Sequence, residues 1–322
     1  MSPDLAAIRA RLHRRHDRVL IAARAGGQTR WAAYGVPDTA DAEIGSVSKG
    51  LTGLLLHDAV ARGEVTLSTS LGDLLARPEA SYAPLSLGAV AAHRSGLPRL
   101  QPDGGDRSQL ARTWGMWRRG ENPYGDTVDE LLTMAADAPV GKPRFQYSNL
   151  GFELLGAALS RAAGNCYPGV LRERVLEPLG MAGASAPARE TDLSADALRG
   201  RSRRGREHAA WVGEAIAPAG GVRCTAADLA ALLDGLVDGT APGIEALEAT
   251  AQAQGGSCIG AAWMTTSVRG RPVVWHNGRT GGFASWVGVD RAAGTGVAIV
   301  SATAASVDTA GFRALTAMTP AH

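Results

Sequence analysis

Apolar residues fall in two short runs near the start of the chain, residues 18–24 and 28–34, and Gly26-Gly27 divides them. That pattern predicts two strands of a hairpin joined by a glycine turn. Residues 3–16 before it have helical spacing. After Gly45, apolar Val47, Leu51, Leu54, Leu55, Ala59 and Val60 recur every three or four positions until Arg62-Gly63. This predicts a buried helix that Ser46 opens. From residue 70 the helical pattern returns at 71–75, 85–92, 128–136, 152–163 and 170–176, separated by Gly, Pro and polar turns, with no convincing strand pair. Thr225 with Asp228 three residues later predicts an N-cap and a helix to about residue 237. The chain then alternates strands and turns at 260–266, 271–276, 283–289 and 297–302, with a last helix from about Val307.

Strands at both ends with helices between them predict an α+β fold: one antiparallel sheet built from both chain termini, flanked by helices, with a largely helical lobe inserted into it. On this reading residues 1–322 form a single domain. Residues 1–69 and 208–322 make an α/β lobe, residues 70–207 a mainly helical lobe, and a cleft lies where they meet. Residues 101–126 read as a long loop, rich in Gly and polar residues yet carrying Trp114, Trp117 and Tyr124. A long loop with aromatic side chains suggests a lid over a pocket, though rings that merely pin the loop to the helices would look the same.

Composition narrows the function. With 322 residues, 45% hydrophobic, the chain can bury a sizeable core without metal or disulfide. A net charge of +2 gives no field to recruit nucleic acid or an acidic membrane, so neither is expected as a partner. Cys166, Cys224 and Cys258 are widely spaced and lie in no CxxC or His-rich pattern, so no metal site and no cofactor is expected. The N-terminal segment has no uninterrupted apolar run of the kind a signal sequence needs, and no later stretch reaches transmembrane length. The expectation is a cytoplasmic protein, unless a leader has been removed.

The chemistry begins at Ser46-Val47-Ser48-Lys49. Positions three apart share a helix face, so Lys49 lies within reach of the Ser46 hydroxyl. A serine hydroxyl becomes a useful nucleophile only when a base takes its proton, and a lysine can do so if burial or a neighbouring cation lowers its pKa. The chain has only two lysines, Lys49 and Lys142, against 31 arginines. Arginine cannot be deprotonated, so a site that needs a neutral amine must hold Lys. Two further motifs accompany this one. Tyr147-Ser148-Asn149 sets a phenol and a carboxamide at a turn before an apolar helix. His276-Asn277-Gly278-Arg279, at the end of a predicted strand, can align a substrate backbone beside a small residue that permits close approach.

In this order, Ser-x-x-Lys, Tyr-x-Asn and His-x-Gly resemble the serine β-lactamase and penicillin-binding superfamily. The likeness is greatest to its class C β-lactamase-like branch of D,D-carboxypeptidases, D-amino-acid peptidases and esterases. It covers most of the chain, through residues 45–49, 93–98, 147–151, 175–181 and 218–222. The resemblance implies a serine β-lactamase-like fold with Ser46 as nucleophile and Lys49 and Tyr147 handling protons. It implies Asn149, His276, Asn277 and Gly278 against the substrate, and the backbone N–H groups of Ser46 and Arg279 as an oxyanion hole. The Arg279 side chain either meets a substrate carboxylate or points to solvent. Where class C β-lactamases carry Lys-Thr-Gly this chain has His276-Asn277-Gly278, which favours an esterase, amidase or D,D-peptidase acting on a small or peptide-like substrate, with weak β-lactamase activity at most. The motifs leave open an acyltransferase or peptide cyclase using the same acyl-enzyme, and a non-catalytic penicillin-binding or sensor protein. They also leave open whether Lys49 or Tyr147 takes the first proton. His93 reads as a structural residue of its turn, and the arginines between 199 and 206 as a solvated loop.

Overall fold

A computed structural model describes residues 2–102 and 108–319. Its centre is an antiparallel eight-stranded sheet in the order β2-β1-β10-β9-β8-β7-β6-β5. Strands β1 (Val19–Ala25) and β2 (Gln28–Tyr34) come from the start of the chain. A two-stranded ribbon is made by β3 (Ala42–Glu43) and β4 (Arg223–Cys224). The rest of the large sheet comes from the end: β5 (Ala251–Gln252), β6 (Cys258–Ile259), β7 (Met264–Val268), β8 (Arg271–Arg279), β9 (Ala284–Asp290) and β10 (Thr295–Ser301). The two ends meet where Val19 pairs with Ser301 and Arg24 with Gly296. The expected α+β sheet, closed by both termini, is therefore present.

Both faces of β1 and β10 are buried, which explains why these strands are continuous apolar runs. Leu20, Ala22, Ala298 and Val300 face the main core with α2 (Ser48–Ala61) and the later helices. Val19, Ile21, Ala23, Val297 and Ile299 face the other side, under Ile8 of α1 (Leu5–Ala10) and the C-terminal helix. Between the two sets of strands run α3 (Leu71–Leu75), α4 (Leu87–Ala91), α5 (Gln109–Arg119), α6 (Val128–Ala135), α7 (Asn149–Ala163), α8 (Tyr167–Leu171), α9 (Glu177–Leu179) and α10 (Ala217–Gly220), then α11 (Ala226–Asp238) and, last, α12 (Asp308–Met318).

Three expectations change. The helix expected over 3–16 stops at Ala10, because Arg9, Arg11, Arg14 and Arg15 would crowd like charges on a continuing helix. The strand expected at 260–266 is divided: the Gly260 N–H donates to the Trp263 carbonyl at 2.9 Å and Ala262 takes a positive φ of 69°, so a turn separates β6 from β7. Within 101–126, Ser108 caps α5 by accepting from the Ala111 N–H, and left-handed Gly120 ends it, so the middle of this stretch is a helix. Residues 103–107 of that stretch lie outside the described residues.

Buried Arg223 ties the ribbon to the segment around Leu198. Its guanidinium meets Asp41, lies 3.3 Å from Glu43, and donates to the Leu198 carbonyl at 2.9 Å. Glu43 in turn accepts from the Trp211 N–H at 2.9 Å, which fastens the 198–211 segment beside the cleft.

Candidate active site

From Ala40 to Leu56 every residue is buried except Ser46. A single 3-10 turn, Gly45–Val47, turns its hydroxyl outward just before α2 begins. The turn depends on Gly45, whose φ is +51° and where an added Cβ would stand 2.8 Å from the Arg279 nitrogen. Opposite, a Cβ on Gly278 would strike the Ile44 carbonyl and come to 3.0 Å from the Ser46 nitrogen. Two glycines thus let β8 lie directly against the Ser46 turn. Ser48, the nearby rival, is occupied: its hydroxyl donates to the Gly45 carbonyl at 2.7 Å and accepts from the Val222 N–H at 3.1 Å.

Lys49 is fully buried, with Nζ 3.2 Å from Ser46 Oγ and 2.5 Å from the Ala219 carbonyl. Burial lowers its pKa to about 7, with Glu153 acting upward and the Arg99 cation downward. Its Nζ stands 4.9 Å from the centre of the Tyr147 ring. Burial pushes the Tyr147 phenol up to about 12, against a hydrogen bond with Ser46 and the charge of Arg99. The two groups are therefore driven apart: near neutrality Lys49 is partly a free amine while Tyr147 keeps its proton. His93 supports the phenol from beneath, its ring 4.3 Å from that of Tyr147, while its Nδ1 accepts the Ser148 N–H at 3.2 Å.

Asn149 opens α7 and donates through Nδ2 to the Tyr124 hydroxyl at 3.2 Å. Its Oδ1 is buried with no partner among the described residues. One helical turn further, buried Glu153 accepts from Gln101 Nε2 at 2.9 Å through one oxygen and leaves the other unpaired among the described residues. Burial raises its carboxyl to about 7, against the Gln101 hydrogen bond and the Lys49 charge. The sequence reading missed Glu153. Its signal was a carboxylate inside the apolar run Leu150 to Leu155, four residues from Asn149.

Strand β8 forms the opposite wall. His276 Nδ1 donates to the Asn277 carbonyl at 2.6 Å, which leaves Nε2 as the ring's acceptor. Burial and the nearby Lys49 lower His276 to about 4, so it is neutral where the Lys of Lys-Thr-Gly would be a cation. Asn277 is held by donating to Asp308 at 2.9 Å. The Thr280 N–H donates to the Phe283 carbonyl at 3.1 Å, so strand alternation turns the preceding Arg279 N–H away from β9 and toward the Ser46 turn.

These groups line one cleft of about 830 Å³: Ser46, Tyr147, Asn149, Tyr124 and residues 275–280 of β8 and its end. Exposed Arg99, which sequence alone did not single out, joins them, its guanidinium 5.4 Å from the Tyr147 ring. Of the candidate lid residues, Tyr124 lines the cleft and packs edge-on to Trp211, ring centres 4.8 Å apart. Trp114 and Trp117 do not line it. They stand on the solvent side of α5, whose Thr113 and Met116 face the cleft.

Comparison with known proteins shows the family of the chain. The model of the Beta-lactamase family matches residues 6–317. The chain belongs to that family. Among curated relatives, the D-alanyl-D-alanine-carboxypeptidase/endopeptidase AmpH of Escherichia coli K12 is 33% identical over 142 residues, which is 43% of this chain and 34% of that protein. The match thus spans about a third of the length of that relative. Penicillin-binding protein 4 of Amycolatopsis lactamdurans is 27% identical over 83% of this chain and 74% of its own. The fold of this Beta-lactamase family member is shared with the octameric penicillin-binding protein homologue of Pyrococcus abyssi, with TM-score 0.82 at 22% identity over 98% of this chain and 77% of that one. It is shared also with a class C β-lactamase of Rhodobacter sphaeroides, with TM-score 0.79 at 17% identity over 97% and 98%.

Proposed function

We propose that the protein is a serine hydrolase that forms an acyl-enzyme at Ser46 and prefers ester or amide donors bearing a carboxylate. The observation that carries this is the 3.2 Å approach of a fully buried lysine amine to the one accessible hydroxyl of the turn. As the neutral amine, Lys49 takes the Ser46 proton while Oγ bonds to the substrate carbonyl carbon. The N–H groups of Ser46 and Arg279 receive the oxyanion, and the Asn149 carboxamide binds a substrate carbonyl or amide. Collapse expels the amine or alcohol, which takes its proton from the Tyr147 phenol, and Lys49 restores the phenol. Water then attacks the acyl carbon, gives up a proton by the same route, and releases the acid and free Ser46.

The charges of the cleft support the donor class. Arg99 and Arg279 reach it without an ion pair among the described residues, while Asp308 is the one carboxylate lining it. The named activity of the AmpH relative, a D-alanyl-D-alanine carboxypeptidase, acts on a donor of that class. Neutral His276 in place of a cation argues against efficient β-lactam hydrolysis. The test compares peptides ending in D-alanyl-D-alanine with their C-terminal amides, p-nitrophenyl esters and nitrocefin. The free carboxylate should be preferred at least about tenfold, as expected for a charge-assisted contact. Equal turnover of acid and amide would reject the donor class, and no turnover of any member would reject the hydrolase.

A further inference from the structure

Helix α5 carries three large apolar side chains that face water: Leu110 is 82% exposed, Trp114 57% and Trp117 73%. They recur at i, i+4 and i+7, which places them on one stripe. The other exposed large hydrophobics among the described residues, Trp31 at 40%, Leu67 at 37% and Val140 at 38%, are less exposed and scattered in sequence. Such a stripe costs solvation unless something covers it. The helix itself is anchored from its other side, where Arg112 pairs with Asp126 at 2.5 Å.

The surroundings of the stripe are cationic. The Arg118 guanidinium lies 4.8 Å from the Trp114 ring, and Arg119 follows it. The turn at 202–206 packs against the end of the helix, with Arg206 donating to the Arg118 carbonyl and the Ala209 N–H to the Gly120 carbonyl at 2.7 Å. That turn adds Arg203 and Arg204. Of these arginines Arg119 lies on the Arg112 side of the helix, paired with Glu121, and Glu207 is the carboxylate beside the rest. A symmetric second copy laid on the stripe would bring arginine against arginine.

We propose that this face docks on an anionic lipid bilayer, with Leu110, Trp114 and Trp117 entering the headgroup boundary and Arg118, Arg203, Arg204 and Arg206 meeting lipid phosphates. Tryptophan and leucine on one side of a helix with arginine beside them is the composition that lies in a membrane interface. The net charge of +2 points away from a membrane partner because it averages over a surface on which these arginines are gathered. Thr113 and Met116 line the cleft from the same helix, so docking would set the cleft mouth near the bilayer. The inference stands independently of the acyl-enzyme.

Vesicle flotation of the full chain tests it, using phosphatidylcholine with and without phosphatidylglycerol. The protein should float with the anionic vesicles and its tryptophan emission should shift to the blue. Raising salt to about 1 M, where screening acts within about 3 Å, should release most of it. The double variant Trp114→Ser/Trp117→Ser should lose about tenfold in partitioning at an unchanged melting temperature, and Arg118→Glu/Arg204→Glu should lose the preference for anionic lipid. Absence of flotation, flotation that the tryptophan variant leaves intact, or a dimer that the same variant dissociates would each overturn the proposal.

Discussion

Lys49 can accept the Ser46 proton only as a free amine, and burial brings that form into the neutral range by lowering its pKa to about 7. The rate of acylation should therefore rise as pH increases through that value, because the fraction of neutral amine rises with it, and a pre-steady-state pH profile should show the limb. Lys49→Arg keeps a cation that cannot be deprotonated and should cut acylation by about 10²–10⁴, with the fold retained. Glu153 lies behind the amine and acts to raise its pKa. Glu153→Gln removes that negative charge, so the acidic limb should move to lower pH, by up to about one unit. A limb that stays in place would show that Glu153 does not set the charge on Lys49. At this scale the chemistry was legible where a scarce residue type fell in a spaced motif, as with Lys49 among the arginines. Glu153 and Arg99 were not, since each reaches the site only through the tertiary packing of α7 and of the loop before α5.

Strand β8 and the Gly45–Val47 turn touch along Gly278 and Gly45, where no side chain intervenes. Gly278→Ala would force the strand away from Ser46 and separate the N–H groups of Ser46 and Arg279 that we propose receive the oxyanion. Loss of one such donor costs about 10²–10³ in kcat, so activity should fall by at least that much while KM changes less. Thr225→Ala gives the contrast. It removes the capping box with Asp228 at the start of α11, far from the chemistry, and should cost about 1 kcal/mol in urea denaturation with kcat unchanged. That cap was readable from four consecutive residues because its hydrogen bonds are local. Helix α5 reads as loop in the sequence although Leu110, Trp114 and Trp117 recur at helical spacing, because the polar, glycine-rich residues around them carry the composition of a loop.

Across the whole molecule, the sheet joins both ends of the chain, and the ion cluster of Arg223, Asp41 and Glu43 joins the β3-β4 ribbon to the central segment at Leu198. Burial pushes the Glu43 carboxyl up and the Arg223 charge acts against that push. Removing the cation would leave two carboxyls buried without it. Arg223→Ala should therefore cost about 3–5 kcal/mol in denaturant unfolding. This cluster was invisible in sequence, where Asp41 and Arg223 stand 182 positions apart. The architecture was visible, since strand patterns at both termini leave few ways to complete one sheet. What the whole fold accomplishes is to hold one hydroxyl, one buried amine and one phenol at the mouth of a single cleft. Intact-mass spectrometry after exposure to a fluorophosphonate or a penicillin tests that claim most directly. The account predicts one covalent adduct, mapped to the peptide containing Ser46 and lost in Ser46→Ala; no adduct, or one that survives that substitution, would contradict it.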